Sequence, residues 1–220
     1  MDYGIPQMRP RSIFLLAAKE TGVQWEFPKP DTTRVTIEDA IGHLPVLWPM
    51  LKEGEAETLK MFPDFHEKRT EALKISPWHF PPKHNKRQVE WMLHTPSGTS
   101  AIYNEVFYPQ KADGTRISAH ENQYRRHAWD KPCRTITQNN GVISSLTCVH
   151  PGRPFKNARG ETLYSDPRVL TIYELLLVTS LPTNWPIPTW ANESLIRHVI
   201  GEGIPSLLVK KIVDELIRQI

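Results

Sequence analysis

Basic and aromatic side chains lie close together in this sequence, and together they could bind a nucleic acid. Arginine forks pair with phosphate oxygens, and flat aromatic rings stack on unpaired bases. The basic residues fall into three clusters, which are Arg9 and Arg11; Lys83, Lys86 and Arg87; and Arg125, Arg126, Lys131 and Arg134. The aromatic residues among them are Trp78, Trp91, Tyr124 and Trp129. Composition alone leaves open the alternative that these clusters are solvated surface.

Other kinds of chemistry have little support in the residue spacing. The nine histidines show no zinc-finger or HExxH pattern, and Cys133 and Cys148 are too far apart for a CxxC knuckle. We therefore expect no metal site. No GxxxxGK[ST] loop occurs. The sequence Gly201-Glu-Gly203 lies between predicted helices, whereas a dinucleotide-binding loop follows a strand.

Length and composition are those of an ordinary folded domain. The chain has 220 residues, 39% of them hydrophobic, so it can bury a core, and its 20 prolines predict many loops. The 27 basic and 24 acidic residues give a formal net charge of +3, which permits a polyanionic partner without requiring one. Two cysteines suit a reducing compartment. Because neither a signal-peptide core nor a membrane-spanning run occurs, we expect a soluble, cytoplasmic protein with no membrane partner.

The apolar run Ser12–Ala18 shows no alternation of polar and apolar residues. It is therefore predicted to be a strand buried on both faces, as in a parallel sheet. A parallel strand needs neighbours that are reached through crossover helices, but the sequence that follows is rich in proline. We expect this strand to lack partners within the chain.

An irregular region extends from residue 24 to residue 167. One short helix opens with the Thr36–Asp39 capping pattern, and another begins after Asn85 and ends before Pro96. Between turns, three β-prone pieces are predicted: Ala101–Tyr108, Arg134–Thr137 and Val142–Thr147. We interpret this region as a small mixed domain of loops and short strands.

The pattern becomes helical from residue 168 onward. Thr171 and Glu174 form a capping box, and Pro205 is suited to the first turn of a last helix. The apolar stripe of that helix is Leu208, Ile212, Leu216 and Ile220, widened by Val209, Val213 and Ile217. We expect this stripe to dock beside the Ser12–Ala18 strand.

Short motifs in a fixed order resemble the second half of the DNA (cytosine-5)-methyltransferase pattern. Tyr3–Arg11 and the apolar run after it are similar to the eighth motif of that family, and Thr36–Pro45 to the helix that follows. His84–Ser97 and Pro132–Thr137 resemble segments of its target-recognition region. Arg168–Glu174 with Leu181-Pro182 resembles the ninth motif, and Ile200–Pro205 the tenth. Leu181 stands where the family usually has Phe, and Glu202 where it usually has Asn.

The resemblance implies an α+β chain in three parts. Residues 1–23 would end the catalytic domain, residues 24–167 would form the irregular target-recognition domain, and residues 168–220 would return to the catalytic domain. The last strand and the C-terminal helices would then belong to an incomplete Rossmann-like methyltransferase domain. The glycine-rich loop for the cofactor S-adenosylmethionine, the Pro-Cys-Gln nucleophile and the Glu-Asn-Val segment belong to the first half of the pattern and do not occur here.

Roles for individual residues also follow from the resemblance. Arg11 would contact the flipped cytosine, while Gln7 and Arg9 would brace the phosphate path or else pair within the domain. Thr135 would lie near the DNA backbone, and Arg125 and Arg126 belong to a basic cluster expected to bind DNA. Glu202, Gly203 and Ile204 match the segment that closes over the cofactor. Arg168 and Glu174 would hold the recognition region together, and Cys133 lies outside the family's nucleophile position.

Two functions from different classes therefore remain open. The first is the DNA-recognition and base-flipping half of a cytosine-5 methyltransferase, inactive alone and completed by an N-terminal half, in a bacterial or phage restriction–modification setting. The second is a non-enzymatic, sequence-specific DNA-binding module, which the same basic residues would serve. A metal-dependent nuclease built on His79 and His84 is a distant third.

Overall fold

The computed structural model describes residues 2–218, in which short helices and two small sheets are joined by long irregular segments. The helices are α1 (Ile37–Ile41), α2 (Glu55–Met61), α3 (Phe65–Ile75), α4 (Lys86–Leu93), α5 (Ile172–Val178), α6 (Glu193–Glu202) and α7 (Ser206–Ile217). The strands are β1 (Met50–Leu51), β2 (Lys83–His84), β3 (Pro154–Lys156) and β4 (Thr162–Tyr164). Strands β1 and β2 pair in parallel, and β3 and β4 form an antiparallel hairpin. The mixture of helix and strand agrees with the sequence prediction.

Helix α5 begins where the sequence predicts it. The Thr171 hydroxyl accepts a hydrogen bond from the Glu174 amide at 3.1 Å, and the Glu174 carboxylate accepts one from the Thr171 amide at 2.7 Å. This reciprocal capping box satisfies two backbone donors that the first turn of a helix otherwise leaves unpaired. The same device, made by Thr36 and Asp39, opens α1.

The largest apolar cluster surrounds α5. Its members come from α1, from the loop at Cys133 and Ile136, from α5 itself and from α6. The buried residues are Ile37, Ile41, Cys133, Ile136, Leu170, Ile172, Leu175, Leu176, Val178, Ile196 and Ile200. Side chains on both sides of the predicted boundary at residue 168 thus share one core, and the domain boundaries themselves stay predictions.

Two smaller clusters stabilise the irregular region. One packs Met92 and Trp91 of α4 against Tyr124, Ile143 and neighbouring residues. The other joins the opposite face of α4, through Val89 and Leu93, to Leu51, Phe62 and Phe65. The prediction of helix α4 is confirmed, and its burial on two sides explains why so short a helix is stable.

A buried ion cluster connects α5 to the loop before β1. The Arg168 guanidinium donates to both carboxylate oxygens of Glu174, at 2.7 and 2.8 Å, and to Asp166 at 2.8 Å. Its Nε donates to the Leu47 carbonyl at 2.8 Å, and Asp166 accepts from the Leu47 amide at 2.9 Å. Burial alone would raise the pKa of Glu174, but Arg168 and the nearby His150 hold that pKa well below its usual range.

The predicted strands of the irregular region are wrong. Ala101–Tyr103 forms a 3₁₀ turn, residues 134–137 lie in a loop, and residues 142–147 lie in a loop with one isolated bridge at Leu146. β-Branched residues favour strands only where a partner strand is available, and in these stretches burial and side-chain hydrogen bonds fix the backbone instead.

The prediction of a buried strand at residues 12–18 is also wrong for the chain as described. This segment is irregular, and Phe14 and Leu16 are 83% and 84% exposed. A parallel strand is stable only between neighbours, and within residues 2–218 no strand lies beside it.

The last helix, α7, begins directly after Pro205 as predicted. Ile212 is buried, whereas Val209, Val213 and Ile217 are exposed, and Ile220 lies outside the described residues. The docking prediction is right only in part, because α7 contacts the segment that follows residue 18. The Trp25 indole donates to the Ile212 carbonyl at 2.9 Å, and Lys211 pairs with Asp31 at 2.7 Å.

Among the described residues, no helix is both long and apolar enough to cross a bilayer.

The substitution Arg168→Met tests the buried ion cluster. It roughly preserves side-chain volume but leaves Asp166 and Glu174 buried without their counter-charge. We expect the free energy of unfolding to fall by about 3–5 kcal/mol, the usual result of breaking a buried ion pair. Urea unfolding followed by circular dichroism measures the change. The matched control, Lys210→Met, removes an exposed pair with Asp214 and should have a much smaller effect. Equal losses in the two variants would contradict the prediction.

Candidate nucleic-acid interface

Two segments that are distant in sequence run side by side at the centre of the candidate site. The Met8 amide donates to the Cys133 carbonyl, and the Cys133 amide donates to the Pro6 carbonyl, both at 2.7 Å. The Thr135 hydroxyl donates to the Met8 carbonyl, also at 2.7 Å. We call residues 6–8 and 133–135 the paired segments. They bring the residues that resemble the eighth motif next to the Thr-Ile-Thr sequence of the predicted recognition region.

Arg9 acts as an internal brace. Its guanidinium donates to the Ile136 carbonyl at 2.6 Å and to the Gly201 and Glu202 carbonyls at 2.7 and 3.2 Å. Burial, and secondarily the charge of Arg11, lowers the pKa of Arg9. Of the two roles left open by the sequence, pairing within the chain is the one that this geometry supports.

Arg11 is placed differently. Its side chain is exposed, its Nη1 donates to the adjacent Pro10 carbonyl at 2.7 Å, and it makes no ion pair with any described residue. It lines an open cleft of about 870 Å³ together with Thr135, Gln138 and Glu202, which we call the Arg11 cleft. The structure thus brings Arg11, Thr135 and Glu202 to one concave surface.

Gln7 does not reach the Arg11 cleft. Its side chain is buried, its backbone bridges to Cys133, and it lines a cavity of about 500 Å³ on the side of α7, which Arg9 and Arg11 also line. Leu208 and Ile212 of α7 line that cavity too. A bracing role for Gln7 fits this position, and direct contact with a phosphate does not.

The end of α6 forms one wall of the Arg11 cleft. The Gln138 amide donates to the Glu202 carboxylate at 2.6 Å, while Gly203 and Ile204 continue exposed beyond the helix. A side chain at Gly201 would overlap the Thr137 carbonyl, so glycine is needed for this close approach. Loop and helix end therefore form one rigid wall.

The prediction that Arg126 contacts DNA is wrong. Its side chain is fully buried and donates to the carbonyls of Met92, His150, Tyr164 and Asp166 at 2.7–3.3 Å. Burial lowers the pKa of Arg126 to about 9. A guanidinium that saturates four backbone acceptors in the core is not available to a phosphate. The sequence suggested otherwise because Arg125 and Arg126 look alike until their burial is known.

Arg125 remains near the surface, where its guanidinium donates to the Gly98 carbonyl at 2.8 Å and the Glu121 carbonyl at 3.4 Å. The aromatic part of the prediction is wrong for Trp91 and Tyr124, which are buried core residues without a free face for base stacking. Trp78 and Trp129 are half-buried and pack against the core around α5.

The cluster at residues 83–87 also serves the fold. Lys86 pairs with Glu57 at 3.1 Å, and Arg87 donates to the carbonyls of Gln110 and Lys111.

The two histidines considered for a nuclease are buried. His79 Nδ1 forms a 3.0 Å hydrogen bond with the Thr171 hydroxyl, and His84 Nε2 accepts a hydrogen bond from the Val169 amide at 3.2 Å. These buried histidines are structural, which removes the basis of a nuclease. Among the described residues, no three His, Cys, Asp or Glu side chains are grouped to hold a metal ion.

Neither cysteine is placed to attack a substrate. Cys133 is fully buried, and burial raises the pKa of its thiol far above the usual range. Burial likewise raises the pKa of Cys148 to about 12. Since the thiolate is the nucleophile, the burial of both thiols disfavours nucleophilic attack by either residue at neutral pH. This agrees with the prediction that Cys133 is an ordinary loop residue.

Sequence inspection missed two residues near the paired segments: Gln138, which lines the Arg11 cleft, and Arg34, which lines a neighbouring cleft together with Met8. Arg34 is a single cation ahead of the α1 cap and far in sequence from the basic clusters. Gln138 follows directly after Thr-Ile-Thr, so its adjacency to that motif was the available signal.

The fold resembles that of a prophage-encoded E. coli protein whose crystal structure is described as that of a "putative DNA modification methyltransferase", with a TM-score of 0.55. The match covers 99% of this chain and 57% of that chain at 16% sequence identity, so the likeness concerns the fold alone.

Family membership follows from the sequence. The model of the family "C-5 cytosine-specific DNA methylase" matches residues 1–218, and the chain belongs to this family. The resemblance drawn from the ordered motifs is thereby confirmed.

The relatives are Type II methyltransferases. M1.HgaI of Avibacterium volantium is 41% identical over 218 residues, a match that covers 99% of this chain and 53% of the relative. M1.HphI of Haemophilus parahaemolyticus is 24% identical over 218 residues, covering 99% and 45%. The chain therefore spans about half the length of these curated relatives.

Buried histidines give the fold a defined response to acid. Burial lowers the pKa of His84 and His127 to about 3 and that of His150 to about 4, against about 6.5 in an unfolded chain. Between pH 6.5 and about 4, the unfolded state takes up protons that the native state excludes. The free energy of unfolding should therefore decrease as the pH is lowered through this window, by up to about 1.4 kcal/mol per pH unit for each histidine.

Urea unfolding at pH 7, 6 and 5 measures this dependence. The variant His127→Gln should show a shallower slope than the unmodified chain, whatever its stability at pH 7. A free energy of unfolding that is the same at pH 7 and pH 5 would contradict the prediction.

Proposed function

We propose that this chain is the DNA-gripping and base-reading part of a DNA (cytosine-5)-methyltransferase, completed by a catalytic half that carries the attacking thiol. Arg11 provides the main support. Its charged fork is exposed on an open cleft beside Thr135, without an acidic partner among the described residues. In the family pattern this arginine reaches the flipped cytosine.

An exposed arginine suits a flipped nucleotide for physical reasons. The target atom of cytosine is stacked inside the duplex, so the base must leave the helix before it can react. Extrusion leaves the polar edge of the base and its phosphate without their usual partners. A planar guanidinium with five donors can bind both kinds of oxygen, and it keeps its charge at every relevant pH.

The reaction needs a nucleophile that this chain does not present. A thiolate adds to carbon-6 of cytosine, and the resulting enamine directs its electron pair from carbon-5 to a methyl group. S-adenosylmethionine would supply that methyl group, with its sulfur–methyl bond breaking and S-adenosylhomocysteine as the leaving group. Loss of the carbon-5 proton to a base then expels the thiolate and restores the ring. Because both thiols here are buried and protonated, the thiolate would come from the catalytic half.

The chain's own residues would position the base. Arg9 ties the paired segments to the end of α6, and the Gln138–Glu202 hydrogen bond ties α6 to the loop after Thr-Ile-Thr. Arg11 lies two residues after Arg9, and its exposed side chain could reach the substrate. Thr135 would lie beside the phosphate, with its hydroxyl oxygen still able to accept a bond.

The tenth-motif segment fits a cofactor contact only in part. The Glu202 carboxylate is already engaged by Gln138, so it is poorly placed to replace the family's asparagine. Gly203 and Ile204 follow it without burial, and they could offer backbone groups and an apolar side chain to S-adenosylmethionine.

The catalytic half would cover the apolar surface around α7 and the N-terminal segment. Phe14, Leu16, Phe27, Val209 and Ile217 are all exposed there. Exposed large apolar side chains on these two segments suit a surface that a partner covers. In the complete enzyme, residues 12–18 would become the last strand of a Rossmann-like sheet, and residues 1–23 and 168–220 would belong to that domain. The setting would be the cytoplasm of a bacterium or its phage.

A non-enzymatic DNA-binding module is the competing function. Such a module would have no need of the exposed Phe14 and Leu16, which favours the methyltransferase half.

Complementation tests the proposal. The chain is mixed with the region of the Avibacterium volantium relative that lies outside their matched residues, and labelled methyl transfer to duplex DNA is measured. We expect transfer by the mixture and none by this chain alone, because the thiolate comes from the other half. Cys133→Ala should leave the rate unchanged. Transfer by the isolated chain at the rate of the mixture, or a rate abolished by Cys133→Ala, would contradict the proposal.

Arg11 and Arg9 should respond differently to substitution. Arg11→Gln should lower methylation by the mixture about 10- to 100-fold, since a charged hydrogen bond contributes about 1.5–3 kcal/mol, without changing the melting temperature. Arg9→Gln should instead destabilise the chain, because it releases three backbone carbonyls. Paired thermal melts and initial rates separate the two effects. A melting temperature lowered as much by Arg11→Gln as by Arg9→Gln would count against the assignment.

A further inference from the structure

A second cleft adjoins the Arg11 cleft through the paired segments. Met8 lines the second cleft and Thr135 lines the first, and the two residues are joined by the 2.7 Å hydrogen bond between the Thr135 hydroxyl and the Met8 carbonyl. The second cleft has a volume of about 410 Å³. We call it the Arg34 cleft.

Four cations of the Arg34 cleft can reach solvent, and they come from two separate stretches of chain. They are Arg34, Arg125, Lys131 and Arg134. Asp130 is the one acidic residue among those that line the cleft. None of the four cations forms an ion pair within residues 2–218, whereas exposed cations elsewhere do, such as Arg153 with Glu38 and Lys210 with Asp214.

Two of the cations are held in place by the fold. The Arg125 guanidinium donates to the Gly98 and Glu121 carbonyls, and Arg134 donates to the Asn122 side chain at 2.6 Å. The side chains of Arg34 and Lys131 donate no hydrogen bond to any described residue. Fixed and free cations therefore face one concavity with little local negative charge to balance them.

We propose that the Arg34 cleft binds adjacent backbone phosphates of the DNA duplex, next to the nucleotide that Arg11 contacts. The inference rests on the proposed function, since the two clefts share the paired segments as a common wall. Duplex DNA carries one negative charge per about 1.7 Å of axis, so a strand that passes the Arg11 cleft brings further phosphates to any cationic cleft beside it. Cations that bind phosphate position the duplex without reading its sequence.

The salt dependence of DNA binding tests the assignment. Fluorescence anisotropy measures binding of a labelled duplex to the full chain between 50 and 200 mM KCl, for Arg34→Gln, Lys131→Gln and the double variant. Each substitution should lower the slope of log K against log salt by about 1, and the double variant by about 2. Affinity should fall by the same factor for every duplex sequence. The folded state should survive, because neither side chain is buried or hydrogen-bonded.

The matched control is the double variant Lys156→Gln with Arg159→Gln on the β3–β4 hairpin. It changes the net charge by the same amount as the double variant of the Arg34 cleft, and neither of its residues lines either cleft. A control slope that falls as much as that of the double variant would overturn the inference, because binding would then reflect only diffuse attraction. An unchanged slope in the double variant would overturn it as well. Failure of the unmodified chain to bind duplex DNA would overturn both the inference and the proposed function. If only Arg11→Gln lowers the slope of log K against log salt, the inference about the Arg34 cleft is wrong and the proposed function is still supported.

Discussion

The pairing of Arg168 with Glu174, deep in the protein, is the interaction on which the rest of the structure depends. One guanidinium satisfies both oxygens of Glu174, a second carboxylate at Asp166 and the Leu47 carbonyl. Glu174 also completes the capping box of α5. A charge placed in the interior is stable only when every donor and acceptor around it is satisfied, so this cluster fixes the relative position of all the segments that contribute to it.

The candidate interface inherits its rigidity from that cluster. Helix α5 packs on α6 within the largest core, and the end of α6 meets the loop after Thr-Ile-Thr at Gly201. Arg9 then joins the same end to the paired segments. Short elements with many prolines could not hold such a surface by secondary structure alone. Side-chain to backbone bonds from buried or half-buried arginines do so instead.

The sequence predicted the features that depend on local chemistry. Both capping boxes, the start of α7 and the burial of α4 follow from residues within one or two helical turns of each other. Features that depend on distant partners could not be predicted. Arg126 belongs to a basic run but occupies the core, and the segment at residues 12–18 has the composition of a strand but lacks neighbours. Arg34 reaches the site only through the folding of the chain between it and Arg125.

The exposed residues Phe14 and Leu16 have a consequence for how such a polypeptide behaves in solution. Water-facing phenylalanine and leucine side chains attract their like in any neighbouring copy, and the rate of such encounters rises with the square of the concentration. A molecule that shields the segment would remove this hazard. For the isolated chain, the exposure of these two side chains predicts self-association that increases with protein concentration.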